Sequence, residues 1–352
     1  MKVVHVLEPF ASGVVTAVIN IIDELPEFEH IVIHGSRTSD SSIEKVRSRF
    51  HTNTKFILWK HASREINPLK DLFAFFELRS YLSKYKDSVI HLHSSKAGFL
   101  GRVACWTLGI KKVIYTPHCG AFIRTDISKS KRFFYKKLEQ FGGLFGGLVV
   151  GCGESEGKLY SELGLKTKFV NNGTDSLINI EPENKVMQIV FAGIANDQKN
   201  PELFNEIAEK IKPYRDINFI WIGDGDLRYK LVSNNITVTG WVSKEAVNKY
   251  LAESAIYLST SNWEGLPFGV IEAMNSSCAL VLHNVPGNKD LVREGENGFL
   301  FNTADEAVNI LAELSNNIDQ TKQLGLKSAK IAKEYFSKKK MGEGYKNIYL
   351  NI

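Results

Sequence analysis

Along the first half of the chain, apolar runs too short for helices alternate with segments whose apolar residues recur at helical spacing. "KVVHVL" precedes such a segment at 13–25, "HIVIHG" precedes 41–49, and "KFILW" precedes 69–85. "SVIHLH" precedes 95–108, "KKVIYT" precedes 130–141, and "GLVVGC" precedes 154–163. Nearly continuous apolar strands separated by helices predict βαβ units and a mostly parallel sheet covered on both faces.

After "KFVNNGTD" the pattern pauses in "SLINIEPENK", a polar stretch containing Pro182 that reads as an interdomain linker. The alternation then resumes with "MQIVFAG", "INFIWIG", "NITVTG", "AIYLST", "CALVLHN" and "GFLF". From residue 304 onward the pattern is helical. The tail keeps spaced apolar residues, Tyr345, Ile348, Tyr349 and Leu350, so it must dock. The expected fold class is α/β, with two facing Rossmann-like domains at 1–175 and 176–335 and a C-terminal helix at 336–352 packing back on the first. Ligands of such sheets bind beyond the carboxyl ends of the strands, which places the expected site in a cleft between the domains. No repeat of solenoid period and no low-complexity tract is evident.

The totals agree with a folded two-domain chain: 352 residues, 43% hydrophobic and 24% charged. No apolar run approaches the roughly 18 residues that cross a bilayer, and "MKVVHVL" reads as a first strand rather than a signal peptide. Cys105, Cys119, Cys152 and Cys278 are scattered without CxxC spacing, which argues for a reducing cytoplasm and against a disulfide frame or structural zinc. The net charge of +5 is uneven: residues 1–175 hold 25 Lys and Arg against 17 Asp and Glu, residues 176–352 hold 19 against 22. A basic front half suits an anionic partner.

The most informative stretch is "SNWEGLPFGVIEAMNSS", residues 261–277. Pro267 suits the first turn of a helix, because its missing N–H would be unpaired there. From it, Val270, Ile271 and Met274 fall at i+3, i+4 and i+7, a stripe that packs on a sheet and leaves Glu272 outside. The start of this helix would be an anion site, with Gly265 and Gly269 permitting close backbone approach. Glu264 at its mouth and Glu272 deeper are acceptor-only groups that could hold hydroxyls at both ends of a diphosphate-linked sugar. A surface helix with two solvated glutamates is the alternative for this spacing taken alone.

"SNWEGLPFGVIEAM" resembles the E-x7-E signature of the retaining glycosyltransferases of family 4, which have the GT-B fold. "VNNGTD", "FAGIANDQKNPELF", "WIGDGDLR", "VTGWV" and "LVREGENGFLF" match in order. "VIHLHSSKAGFLGRVA" and "VIYTPHCGAF" resemble members that build bacterial surface polysaccharides. The resemblance covers nearly the whole chain. It implies that 1–175 binds the acceptor and 176–335 the nucleotide-sugar. The implied reaction is metal-independent transfer of a sugar, as a hexosyltransferase, from a nucleotide diphosphate donor, a UDP-sugar foremost, to a glycan or lipid-linked oligosaccharide. It needs no cofactor and no nucleic acid, and it belongs to lipopolysaccharide-type polysaccharide synthesis at the inner face of the membrane. No carboxylate pair announces a double-displacement nucleophile, so retention implies a front-face route.

The resemblance assigns further positions. Lys199, in "NDQKNP", would neutralise the departing diphosphate; a solvated loop lysine is the alternative. The family usually has an Arg after the strand-ending Gly193, where this chain has Ile194. Leu266, Pro267, Phe268 and the glycines beside them would contact donor, as would Gly223, Gly240 and Trp241 near the base. Ser12 and Gly13 stand where the family often has two glycines, and only Gly13 carries the donor-contact assignment. His118, in "YTPHCGAF", would contact the transferred sugar or the acceptor. His91 and His93 alternate on "VIHLH" and share a face; His93 and Lys96 are the acceptor-side candidates. "GDGD" at 223–226 could instead be the D-x-D metal motif of the GT-A fold, a reading its place in a second Rossmann-like half disfavours. Residues 129–141 combine Lys129, Lys131, Arg132, Lys136 and Lys137 with Phe133, Phe134, Tyr135 and Phe141, which suits an anionic membrane surface. A solvated helix with its aromatics in the core is the alternative. Two other readings of the whole remain: a nucleotide-sugar epimerase on the same fold, and a non-catalytic subunit that binds sugar nucleotides.

Overall fold

The computed structural model describes residues 1–38, 42–175 and 184–352. The expected linker, apart from Asn184 and Lys185, lies outside the described residues. The chain divides into two compact units. One comprises Met1–Ile123, Ile127–Gly173 and Lys338–Ile352, and the other Arg124–Asp126 and Thr174–Ser337.

The first unit is built on a seven-stranded parallel sheet. Its strands are β1 (Lys2–Phe10), β2 (Glu29–Thr38), β3 (Lys55–Leu58), β4 (Val89–His93), β5 (Val113–Thr116), β6 (Leu148–Gly151) and β7 (Thr167–Phe169), in the order β3-β2-β1-β4-β5-β6-β7. The helices between them are α1 (Ser12–Glu24), α2 (Ile43–Arg47), α3 (Pro68–Leu82), α4 (Ser95–Thr107), α5 (Lys129–Gly143) and α6 (Glu154–Ser161). Strands β1 and β4 are almost wholly buried, as their nearly continuous apolar runs require of a sheet covered on both faces, and they bury His5, Glu8, His91 and His93 with them. Leu7, Phe10, Val15, Val18 and Ile22 form part of the core that seats α1 on β1 and β2.

The second unit has a six-stranded parallel sheet of β8 (Val186–Ala192), β9 (Asn218–Ile222), β10 (Ile236–Val238), β11 (Ser254–Ser259), β12 (Ala279–His283) and β13 (Gly298–Phe301). The order is β10-β9-β8-β11-β12-β13. Its helices are α7 (Pro201–Ile211), α8 (Lys244–Glu253), α9 (Phe268–Asn275), α10 (Ala304–Asn316) and α11 (Ile318–Tyr335). The last helix, α12 (Lys338–Leu350), returns to the first unit and lies on α1. A Cβ at Gly342 would come within 2.4 Å of the Glu24 Cβ, so only glycine permits this approach. Lys346 pairs with Glu27 at 2.7 Å, and Tyr345 and Tyr349 are buried. Of the spaced apolar residues of the tail, Tyr345, Ile348 and Tyr349 thereby find their core, whereas Leu350 stays exposed.

Candidate active site

In each sheet the strand order reverses between two neighbours, β1 and β4 in the first unit and β8 and β11 in the second. At such a switch point the loops leaving the two strands run apart and open a crevice at their carboxyl ends. Gly13, His93 and Lys96 lie at or just after the ends of β1 and β4, Lys199 and Glu264 after β8 and β11, while His118, Gly223, Gly240 and Trp241 follow the neighbouring strands β5, β9 and β10.

In the second unit the loop after β8, which carries Lys199, is stitched to the loop after β11, which carries Glu264. The Thr260 hydroxyl donates to the Lys199 carbonyl at 2.8 Å, and Asn262 Nδ2 donates to the Asp197 carbonyl at 2.8 Å. Gln198 Nε2 donates to the Trp263 carbonyl at 3.1 Å and to Glu264 at 3.3 Å. These bonds bring Lys199 Nζ to 2.5 Å from Glu264 Oε1. Glu264 is 5% exposed, so its charge is compensated inside the protein rather than by water. Asn200, in a left-handed conformation with φ 51°, turns the chain into α7 and caps it through Leu203 N–H.

Helix α9 begins beside this pair. Its first helical residue is Phe268, one later than the sequence pattern suggests, because Pro267 keeps an extended ψ of 122° and serves as the N-cap. Val270, Ile271 and Met274 are buried, as the stripe requires. Glu272, off the stripe, pairs with Lys244 of α8 at 2.5 Å. Both glutamates of the signature therefore hold a lysine, and Lys244 has no signal in local sequence pattern. Gly265 and Leu266 are buried, and Gly265 is pressed by Gly287, at φ 85°, where a Cβ would sit 2.2 Å from the Gly265 oxygen. Gly269 lies over the Tyr257 hydroxyl.

Gly193, Gly223 and Gly240 are neighbours. Gly223 and Gly240 form an isolated antiparallel bridge, and a Cβ on Gly223 would meet the Gly193 oxygen at 2.3 Å. Trp241 is 69% exposed and Ile194 is 40% exposed. Asp224 is engaged locally: one carboxylate oxygen accepts from Gly225 N–H at 2.8 Å and the other pairs with Arg228 at 3.1 Å.

In the first unit Ser12 itself takes φ 51° at the turn into α1, a conformation that favours glycine, and Gly13 follows it exposed. Lys96, at the start of α4, is held by Asp71 at 2.5 Å and the Glu65 carbonyl. His93 is fully buried and reaches the sheet edge only through His118, whose Nε2 lies 2.9 Å from His93 Nδ1. His118 is half-buried, and burial pushes its pKa down to about 4, so it is neutral at physiological pH. His118 and Cys119 both have positive φ, 53° and 73°. Two such residues in succession turn backbone N–H groups inward as an anion nest. Here the anion is internal: Glu156 accepts from Cys119 N–H at 2.7 Å, Gly120 N–H at 3.3 Å and Cys152 N–H at 2.9 Å. Sequence reasoning missed Glu156, although its place in the first turn of α6, just after β6, is where a carboxylate meets free N–H groups.

Helix α5 turns its aromatics outward. Phe133, Phe134 and Phe141 are exposed, and the residues it buries are Glu139 and Gly142. Glu139 pairs with buried Arg102 at 2.9 Å and accepts from the Tyr115 hydroxyl at 2.8 Å. The expectation that the aromatics could fill the core is thereby corrected. An exposed row on α3, Leu69, Leu72, Phe73 and Phe76, was not singled out in the sequence. No helix among the described residues is long and apolar enough to cross a membrane.

Comparison with known proteins settles the family. The model of glycosyltransferase family 4 matches residues 11–176, and that of the group 1 glycosyl transferases matches residues 187–317. The chain belongs to these glycosyltransferases. Among relatives of this family-4 chain is the UDP-Gal:alpha-D-GlcNAc-diphosphoundecaprenol alpha-1,3-galactosyltransferase of Escherichia coli, 28% identical over 90% of this chain and 88% of that one. An uncharacterized 41.2 kDa protein in the cps region of Klebsiella pneumoniae is 28% identical over 99% of both chains. Among solved structures, HepE of Anabaena in complex with UDP-glucose covers 100% of both chains with a TM-score of 0.81 at 16% identity. At that identity the likeness establishes the fold, which is GT-B.

Proposed function

We propose that this glycosyltransferase moves a sugar from a UDP-sugar to a lipid-diphosphate-linked glycan during assembly of a bacterial surface polysaccharide, with retention and without a metal ion. The observation that carries the reading is the meeting of Lys199, Glu264 and the start of α9 at the β8–β11 switch point. A cation and a helix N-terminus suit a diphosphate, and a buried carboxylate beside them suits sugar hydroxyls. The names of the E. coli relative and of the HepE complex support the uridine donor and the lipid-linked acceptor.

In this mechanism the bond from the anomeric carbon to the diphosphate oxygen breaks, and a bond from an acceptor oxygen forms on the same face. The acceptor's proton passes to the departing phosphate. Lys199 and the first N–H groups of α9 stabilise the negative charge that develops on the diphosphate. Glu264 and Glu272 accept from hydroxyls of the sugar and the ribose, and His118 accepts from a hydroxyl of the sugar or acceptor. Gly193, Gly223, Gly240 and Trp241 line the base, and Gly13, Gly265, Leu266, Pro267, Phe268 and Gly269 approach the donor. His93 acts behind His118, and Lys96 orders the acceptor side through its pair with Asp71. The exposed aromatic and basic residues of α5, joined by the apolar row on α3, are proposed to rest on an anionic membrane that presents the acceptor.

The test is turnover of purified protein with UDP-, GDP- and ADP-sugars, with and without EDTA, read as released nucleoside diphosphate. Release from one donor that survives EDTA and disappears in Glu264→Ala supports the reading. A requirement for a divalent ion, epimerised donor without acceptor, or donor binding with no release even with lipid-linked acceptor would each overturn it.

A further inference from the structure

Four histidines run in a hydrogen-bonded line across the central strands of the first sheet. His30 Nε2 lies 2.9 Å from the Leu25 carbonyl, and His30 Nδ1 lies 3.2 Å from His5 Nε2. His5 Nδ1 lies 3.1 Å from His93 Nε2, and His93 Nδ1 lies 2.9 Å from His118 Nε2. The rings of His5 and His30, His5 and His93, and His93 and His118 are stacked along the line. Neighbouring parallel strands place them so: β1 pairs with β2 on one side and β4 on the other, and His118 follows β5.

His5, His91 and His93 are close enough to suggest a metal site. That use fails on the same contacts. Both nitrogens of His5 and of His93 are taken by other imidazoles, and His91 is bound by the Tyr349 and Thr116 hydroxyls at 2.8 and 2.9 Å. All three side chains are fully buried.

Counting protons decides the direction of the line. A neutral imidazole carries one N–H, so the four rings carry four between them. The Leu25 carbonyl can only accept, so the proton of His30 is on Nε2. Its Nδ1 must then accept from His5 Nε2, whose Nδ1 accepts from His93 Nε2, whose Nδ1 accepts from His118 Nε2. The four contacts use the four protons, and His118 Nδ1 is left with a lone pair. It has no hydrogen-bond partner among the described residues, and it is not one of the sealed, unsatisfied polar atoms, so it opens to solvent. Burial lowers the pKa of all four histidines, which keeps each ring in the neutral form the count assumes.

We propose that His30, His5 and His93 are positioning residues that fix His118 as its Nε2–H tautomer and so present Nδ1 as a hydrogen-bond acceptor. The ligand this suits is a hydroxyl group, of sugar or acceptor, and it disfavours a direct contact with phosphate oxygens, which need a donor. The catalytic consequence rests on the proposed glycosyl transfer; the tautomer itself does not.

Long-range proton–nitrogen correlation spectra of protein labelled with nitrogen-15 at histidine report which ring nitrogen carries the proton. The full chain should show His118, assigned by its loss in His118→Ala, as one neutral Nε2–H form across pH 6.5 to 8. A predominant Nδ1–H form or a cation there would overturn the proposal without any variant of the relay. His30→Phe removes the anchor and should give His118 a mixture of tautomers, whereas His30→Gln, which offers both a donor and an acceptor, should restore the single form. With the donor found by the turnover panel, His30→Phe should lower kcat about tenfold, the value of one hydrogen bond, with the donor KM little changed. The loss should vanish in a His118→Ala background. An equal loss in that background would show a merely structural role and overturn the positioning claim. The single tautomer in a protein that turns nothing over would instead remove the transferase reading and leave the relay standing.

Discussion

The pair of Lys199 and Glu264 leads to a prediction whose sign is not obvious. In the absence of donor, the lysine proposed for the diphosphate is held at 2.5 Å by the carboxylate proposed for the sugar. A nucleoside diphosphate without its sugar can use Lys199 only by competing with Glu264, and it gains nothing from that carboxylate. Glu264→Gln keeps the shape and leaves an amide oxygen facing the lysine, but removes the charge. Lys199 keeps its charge, so its bond to the amide oxygen stays charge-assisted, and what is lost is the carboxylate's Coulombic hold on the ammonium, on the order of 1 kcal/mol or more. The substitution should therefore release about 1 kcal/mol of attraction to the phosphates, about fivefold in affinity. Titration calorimetry with UDP should show tighter binding by Glu264→Gln than by the parent chain, while turnover of UDP-sugar is lost. Lys199→Met should weaken UDP by roughly tenfold or more, one charge-assisted bond, and should destabilise the chain by about 3 kcal/mol because it leaves Glu264 buried without a cation. In urea titrations, the double variant should recover part of that stability. If Glu264→Gln binds UDP no better than the parent, Lys199 is not held in reserve by the carboxylate, and the competition argument fails.

Three further outcomes follow from the geometry. Burial pushes the pKa of His34 down to about 4 and holds those of His5, His91 and His93 well below the usual histidine value. A base with a depressed folded pKa stabilises above its unfolded value near 6.5 and loses that stability as pH falls. At pH 5, His34 alone costs about 2 kcal/mol. The urea midpoint should drop clearly from pH 7.5 to 5.5, and a flat profile would refute the burial of these rings. Gly287→Ala would place a methyl group 2.2 Å from the Gly265 oxygen at φ 85°. Calorimetric unfolding should register a loss of more than about 2 kcal/mol, together with weaker donor binding, and an unchanged Tm would show that the Glu264 loop is not pressed from behind. Vesicles containing anionic lipid should sediment the full chain at low salt. Phe73→Ser combined with Phe76→Ser, and separately Phe133→Ser combined with Phe134→Ser, should each reduce the bound fraction severalfold. Binding that neither pair changes would place any membrane surface elsewhere.

Much of the architecture was legible in the sequence because strands buried on both faces must be apolar at consecutive positions. Each of the apolar runs singled out became a strand of one of the two parallel sheets. The short β7, with Lys168 and Phe169 exposed at the sheet edge, carries no such constraint and was not singled out. The signature helix was legible for a similar reason: its stripe and its Pro-Phe-Gly start are local requirements, met within one helical turn of residue 268.

What local pattern cannot supply is the identity of a partner across the sheet. Lys199 and Glu264 are 65 positions apart and meet because β8 and β11 are neighbours. Glu272 finds Lys244 because α8 and α9 flank one strand, β11. Alternation on "VIHLH" places His91 and His93 on one face, yet it does not tell that His93 has His5 on one side and His118 on the other. Nor does it tell that His91 serves Tyr349 of the returning C-terminal helix instead. The sequence by itself determined which segments are strands and helices and which residue types the chemistry has available, because burial and helical period act locally. Only the tertiary structure decided which charge neutralises which and which nitrogen of His118 is free, because those depend on strand order and register, set by the chain's whole packing.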